Sequence, residues 1–109
     1  MFSNKKGYRV ERKIRLILSK HGWHVVRSGG SLGEYDLIAF KHKKCVFFQI
    51  KSTSKKVLYY YGYNKSSFLG FPFLLVVDFG YGNVRVLKPR GKVKPSDGEK
   101  FEEYLQKNP

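Results

Sequence analysis

Between residues 8 and about 21, the apolar positions Val10, Ile14, Ile17 and Leu18 fall at i, i+4, i+7 and i+8, one stripe of an amphipathic helix that Gly22 ends. Glu11 lies three and seven residues before Ile14 and Leu18, so it borders the stripe, whereas Arg9, Arg12, Lys13 and Lys20 can face outward. Residues 23–27 form a short β-prone run, Ser28, Gly29, Gly30 and Ser31 a small-residue loop, and residues 35–40 a second strand. A polar break at 41–44 joins it to residues 45–51, which predicts a hairpin. With side chains alternating, Gln49 and Lys51 share one face of its second strand, and Phe48 and Ile50 the other.

Residues 52–71 have no clean period, because Tyr59, Tyr60, Tyr61 and Tyr63 are broken up by Gly62 and Gly70; a short helix near 64–69 is the expectation. The continuous apolar run 73–77 reads as a strand buried on both faces, and residues 80–83 turn it into a strand at 84–87. Ser96 with Glu99 three residues on is a capping-box pattern that opens a helix running to about Lys107. Residues 1–7 read as a flexible basic arm. The order helix, three strands, irregular segment, two strands, helix predicts an α/β fold. Its central mixed sheet of about five strands is flanked by helices, in a single domain over residues 1–109.

Charge narrows the partner. The formal net charge is +14, and only Glu11, Glu34, Asp36 and Asp78 precede residue 97 as carboxylates. So basic a body suits a polyanion. Nucleic acid is preferred to membrane, since no apolar run approaches the roughly 20 residues of a spanning helix and the opening MFSNKKGYRVER has no signal-peptide core. A cytoplasmic location is expected. The lone Cys45 reads as a buried strand residue, and His21, His24 and His42 are too scattered for a zinc site.

The surviving carboxylates suggest chemistry. Phosphodiester hydrolysis needs a positioned water, a divalent cation against the phosphate and a positive group near the reacting oxygens. Asp36 and Gln49 on neighbouring strands can converge on one ion, Lys51 can reach the attacking water, and Glu11 can complete the shell. Oxygen ligands suit Mg²⁺, with Mn²⁺ as a substitute. Taken singly, each residue has a plainer reading. Asp36 could simply end a turn before a strand, and Glu11 could be a surface carboxylate paired with Arg15 at i+4.

Taken together, the segments KKGYRVERKIRLILSKHGWHVVRSGGS, GEYDLIA and FFQIKST, with an apolar strand after Pro72, resemble the archaeal Holliday junction resolvases of the Hjc/Hje type, within the restriction-endonuclease-like PD-(D/E)xK superfamily. That resemblance implies a structure-selective endonuclease that resolves four-way DNA junctions by paired metal-dependent cuts. It also implies a homodimer, no small-molecule cofactor, and an archaeal or archaeal-virus-infected cell as the setting. Glu11 and Asp36 would be metal ligands with Gln49, Lys51 the catalytic lysine, and Ser31 a mobile loop residue near the scissile phosphate. Arg12 and Arg27 would hold DNA, and Lys5, Lys6, Arg9, Lys55 and Lys56 are further candidate contacts.

Two departures stand out. The resolvases usually carry Glu-x-Lys where this chain has Gln49-Ile50-Lys51; losing one negative charge weakens a hard-cation site. The Mrr-like branch of the superfamily resembles this chain in using Gln-x-Lys, so a duplex-DNA endonuclease and a catalytically silenced junction-binding protein both stay open. The connection from Lys51 to Pro72 is also shorter than the helix-containing one of the cellular resolvases. Phe68, Leu69 and Phe71 are candidates for a dimer interface, and the tyrosines at 59–63 suit packing better than base stacking.

Overall fold

The computed structural model describes residues 5–28 and 33–109, with the side chain of Lys5 excepted. Helix α1 (Lys5–Lys20) leads into β1 (His24–Arg27), β2 (Leu37–Lys41) and β3 (Lys44–Ser52). Short strands β4 (Leu58–Tyr59) and β5 (Ser67–Phe68) precede β6 (Phe71–Asp78), β7 (Val84–Leu87), β8 (Lys92–Val93) and β9 (Glu99–Lys100), and α2 (Phe101–Lys107) closes the chain. Among the described residues one mixed sheet runs in the order β1-β2-β3-β6-β7-β9, with β5 added to β6, while β4 and β8 form a separate pair. All its pairings are antiparallel except β3 with β6, which is parallel from Phe47 opposite Phe73 to Ser52 opposite Asp78.

The central strands are long and apolar because both of their faces are covered. On one face, Val10, Ile14 and Leu18 of α1 and Phe101 and Leu105 of α2 pack on Leu37, Ala39, Val46, Phe48, Ile50, Val76 and Val86. On the other, Tyr60 and Val93 from the β4–β8 flap cover Leu75, Val77, Phe79 and Leu87. Period-two alternation along β6 sends Val76 to the first cluster and Leu75 and Val77 to the second. Each such side chain, fully buried, contributes about 1.5–3 kcal/mol. Cys45 lies in β3 as expected, though only half-buried.

Three expectations need correction. Residues 64–69 do not form a helix: Ser67 and Phe68 pair with Pro72 and Phe71. A two-residue turn with φ of 53° at Leu69 and 84° at Gly70 joins them, the geometry that matches strand twist. Phe68 then packs against Tyr35, Phe47, Tyr63 and Phe73. The basic arm is also shorter than expected, since α1 begins at Lys5 and includes Gly7; residues 1–4 lie outside the described residues.

Nor does Ser96 cap the last helix. Glu99 and Lys100 are drawn into the sheet against Val86 and Arg85, and α2 starts at Phe101 with no side-chain cap. Arg85 is responsible, because its guanidinium gathers the carbonyls of Ser96, Asp97 and Gly98. That bend needs φ of +66° at Gly98, where a Cβ would strike the Val86 carbonyl. Gly98→Ala should therefore cost about 2 kcal/mol or more, whereas Ser96→Ala should stay within about 0.5 kcal/mol. Urea denaturation of the two variants would reject this account if Ser96→Ala proved the more damaging.

Candidate active site

The N-terminal half of α1, the end of β1 and the last part of β3 enclose a cleft of ≈ 330 Å³ lined by Gly7, Tyr8, Glu11, Arg27, Asp36, Gln49, Ile50 and Lys51. Its geometry starts from a ladder that runs out. The β2–β3 pairing ends at Leu37 opposite Phe48. One residue earlier, the Asp36 N–H still donates to the Phe48 carbonyl at 2.7 Å. Past Phe48, the Ile50 N–H has no strand acceptor on that side, and Asp36 Oδ2 accepts it instead at 2.7 Å. A buried amide must find a partner, so this bond fixes Asp36 against β3.

The same oxygen accepts the Gln49 side-chain amide at 2.8 Å. Facing a carboxylate, only the NH₂ end of a glutamine can bond, so the amide acts here as a donor. Burial pushes the Asp36 carboxyl above its ordinary value, and the negative Glu11 adds to this; the Ile50 N–H and the Lys51 charge pull the other way. Tyr60, beneath the flap, is pushed up to about 12 by burial and by the charge of Asp36. Its hydroxyl donates to the Tyr63 carbonyl at 2.9 Å.

Glu11 is engaged differently. Arg27 Nε donates to Glu11 Oε1 at 2.7 Å and Nη2 to Oε2 at 3.4 Å, a two-pronged contact. The guanidinium also lies 5.4 Å from the Tyr8 ring centroid. This bond is the main reason that Arg27 is held above its ordinary value. The expected alternative partner Arg15 is not used. Two carboxylates thus face two cations, Arg27 and Lys51, across a cleft whose uncharged polar side chains are Tyr8 and the Gln49 amide.

A family model for archaeal Holliday junction resolvase (Hjc) matches residues 2–71, which include every residue of this cleft. The chain belongs to the Hjc family. A crossover junction endodeoxyribonuclease Hjc of Methanocaldococcus jannaschii is 40% identical over 55 residues, a match spanning 50% of this chain and 41% of that protein. The chain therefore spans about two fifths of that relative's length in the match. Among solved structures, Hjc from Archaeoglobus fulgidus has a TM-score of 0.70 at 18% identity, covering 93% of this chain and 96% of its own. A bacterial homing endonuclease has a TM-score of 0.62 at 20% identity, covering 98% and 94%. The fold is thus the restriction-endonuclease-like one shared by Hjc and that enzyme.

Of the residues singled out in the sequence, the structure brings Glu11, Arg27, Asp36, Gln49 and Lys51 together. Lys6 and Arg9 lie with Val10 and Lys13 on a neighbouring facet of α1. Arg12 is exposed beside Glu11 without lining the Hjc cleft, and Lys55 and Lys56 are exposed after β3. Lys5 opens α1, while Ser31 lies outside the described residues. Sequence reasoning missed Tyr8, although it stands three residues before Glu11 on the same helix face. It also missed that the backbone of Ile50 organises the carboxylate.

The raised Asp36 pKa has a defined sign in folding. The native state holds this proton more tightly than the unfolded chain does, so the protonated group favours folding below its ordinary value of 3.8. That contribution is lost as pH rises through the native value. Asp36→Asn, which keeps an acceptor for Ile50, should therefore be more stable than the parent at pH 7 without divalent cations. The advantage should shrink on acidification. Urea midpoints at several pH values that showed the opposite trend would remove burial as the controlling influence on Asp36.

Proposed function

We propose that this chain is a structure-selective DNA endonuclease that resolves four-way junctions by metal-dependent hydrolysis, acting in the cytoplasm as a homodimer of single-domain subunits. The observation that carries the reading is the convergence of Glu11, Asp36, Gln49 and Lys51 in one basic-rimmed cleft, on a chain of the Hjc family. The donor set fits a small hard cation: two carboxylates and one amide carbonyl, with no sulfur or imidazole. Mg²⁺ is the cation proposed, with Mn²⁺ able to replace it. When bound, it supplies positive charge against the scissile phosphate and makes a water easier to deprotonate.

The chain's own residues do the rest. Glu11 and Asp36 hold the ion, and Gln49 would join them by turning its carbonyl inward. Lys51, on the same face as Gln49, holds and orients the attacking water. Arg27 now engages Glu11, one of the residues that would hold the ion, and a DNA phosphate would offer Arg27 a second anion. Two symmetric cuts need two sites, which a two-fold dimer presents to a roughly two-fold junction. Leu69 and Phe71, 76% and 44% exposed at the β5–β6 tip, are the surface proposed for that contact, with half-buried Phe68 behind them.

The second reading, a junction-binding protein without cleavage, is favoured by one detail. Gln49 donates to Asp36 through its NH₂ end and so satisfies that carboxylate without metal. Incubating the protein with a labelled four-way junction and with matched linear duplex, in Mg²⁺, Mn²⁺ or EDTA, separates the readings. Paired nicks confined to the junction and lost in EDTA are expected. Retardation without nicks would establish the binder, and equal cutting of duplex an Mrr-like enzyme. Lys51→Ala should slow junction cleavage by about 10²-fold or more while changing junction affinity less than about threefold.

Gln49→Glu separates metal binding from folding. It places a second carboxylate where the amide now bonds Asp36 at 2.8 Å, so the metal-free protein should lose stability at pH 7 through like-charge repulsion. The Mg²⁺ concentration for half-maximal stabilisation should fall, by about tenfold. Calorimetric titration that found no gain in Mg²⁺ affinity would remove position 49 from the metal shell.

A further inference from the structure

The turn between β6 and β7 carries a residue that its fold does not call for. Phe79 N–H donates to the Asn83 carbonyl at 2.9 Å and Asn83 N–H to the Gly80 carbonyl at 3.0 Å. Tyr81 and Gly82 both have positive φ, 53° and 78°. With Gly80 also at a positive φ of 87° and its N–H donating to Asp78 Oδ1, Tyr81 and Gly82 are the central pair of a left-handed turn inside a three-residue hairpin loop, and such a turn prefers Asn, Asp or Gly at its first central position. Tyr81 stands there with a relative exposure of 109%, adding nothing to the core while holding a conformation disfavoured for a bulky side chain. A large ring kept in water on a fixed, unfavourable backbone is an outlier that points to a ligand.

Its surroundings say which ligand. Parallel pairing sets Lys51 beside Val77 and Ser52 beside Asp78, so the Tyr81 tip stands at the same end of the sheet as the cleft, roughly 10 Å beyond Lys51 along the strands. On one side, Lys6 and Arg9 run along α1, and Lys13 ties that helix to Asp78 at 2.9 Å. On the other, Arg85 and Lys100 line a groove of ≈ 500 Å³ with Tyr81 and no carboxylate. Arg85 is held by the carbonyls of Asp97 and Gly98 at 2.9 and 3.0 Å, which aims its charge without cancelling it. On the remaining side, towards α2, Glu102 and Glu103 offset Lys13 and Lys100, which leaves that side without the net positive charge of the other two. The comparable tip at Leu69 lies at the far end of β6, about 25 Å away, and its residue is aliphatic.

We propose that Tyr81 stacks on a base at the branch point of the junction, with one arm's phosphates on the α1 cations Lys6 and Arg9 and another's on Arg85 and Lys100. The proposal rests on the junction reading above and names the residue that recognises the branch. Where bound cations hold the arms apart, stacking is interrupted at the exchange point, so a base face opens there that stays closed within continuous duplex. A ring on a base face is indifferent to sequence, and a rigid turn presents it at little ordering cost.

The test compares dissociation constants of the parent, Tyr81→Asn and Tyr81→Trp for a labelled four-way junction and for linear duplex, in Ca²⁺ to prevent cutting. Asn suits the left-handed turn, so its thermal stability should equal or exceed the parent's and loss of fold cannot mimic the effect. Tyr81→Asn should bind the junction about tenfold more weakly and the duplex within about twofold, while Tyr81→Trp keeps junction affinity. Unchanged junction binding by Tyr81→Asn, or an equal loss on both DNAs, would overturn the role of Tyr81 alone. A parent protein that bound junction and duplex equally would instead overturn the junction reading, and the proposal with it.

Discussion

The parallel contact between β3 and β6 is the constraint on which the rest of the molecule depends. β6 feeds both core clusters and β3 the helix-side one, and their register from Phe47 opposite Phe73 to Ser52 opposite Asp78 leaves little freedom elsewhere. A one-residue slip would send Val76 to the flap side and Leu75 and Val77 to the helix side. The same register determines where Gln49 and Lys51 emerge and where the turn after Asp78 stands. Lys13 then locks α1 onto the end of the pair through Asp78, which is 7% exposed, and this sets the depth at which Glu11 meets the cleft.

Within that frame the cleft is a set of exchanges in which both carboxylates already have partners. Asp36 substitutes for a missing strand at the Ile50 N–H, Gln49 answers Asp36, and Arg27 answers Glu11. Such an arrangement folds without any ion and gives up one contact for each ligand it gains. Glutamine at position 49 is consistent with this, since a carboxylate there would set two like charges side by side in a partly buried site. The basic character of the chain is therefore balanced locally by geometry rather than by numbers of acids.

Period and chemistry told different amounts from the residues alone. The α1 stripe of Val10, Ile14 and Leu18, the β2–β3 hairpin and the buried run of β6 were readable because each serves one core with a regular repeat. The convergence of Glu11, Asp36, Gln49 and Lys51 followed from strand adjacency plus the resemblance of their motifs to a nuclease family. What escaped was non-local. The turn at Leu69 and Gly70 wins over helix because Phe68 finds Tyr35 and Phe47, both distant in sequence, as well as Tyr63 and Phe73. The start of α2 is displaced because Arg85, eleven to thirteen residues away, claims the carbonyls that a helix capped at Ser96 would have used for its first backbone bonds. Glu11 chose Arg27 over its helical neighbour Arg15 for a similar reason: a fixed strand end delivers both prongs at once.

The position of the parallel pair in the chain separates chemistry from foldability. Every side chain of the cleft has been synthesised by Lys51, yet β3 has no partner on its inner edge until β6 follows, beginning at Phe71. During synthesis the emerging polypeptide therefore carries a full complement of reactive groups on a strand with an open edge, the species most prone to wrong pairing. A gene fragment ending soon after the motif would encode the reagents without the vessel. Fusion or truncation points for this protein belong after the β6–β7 hairpin and its Arg85 clasp, not at the last recognisable catalytic letter.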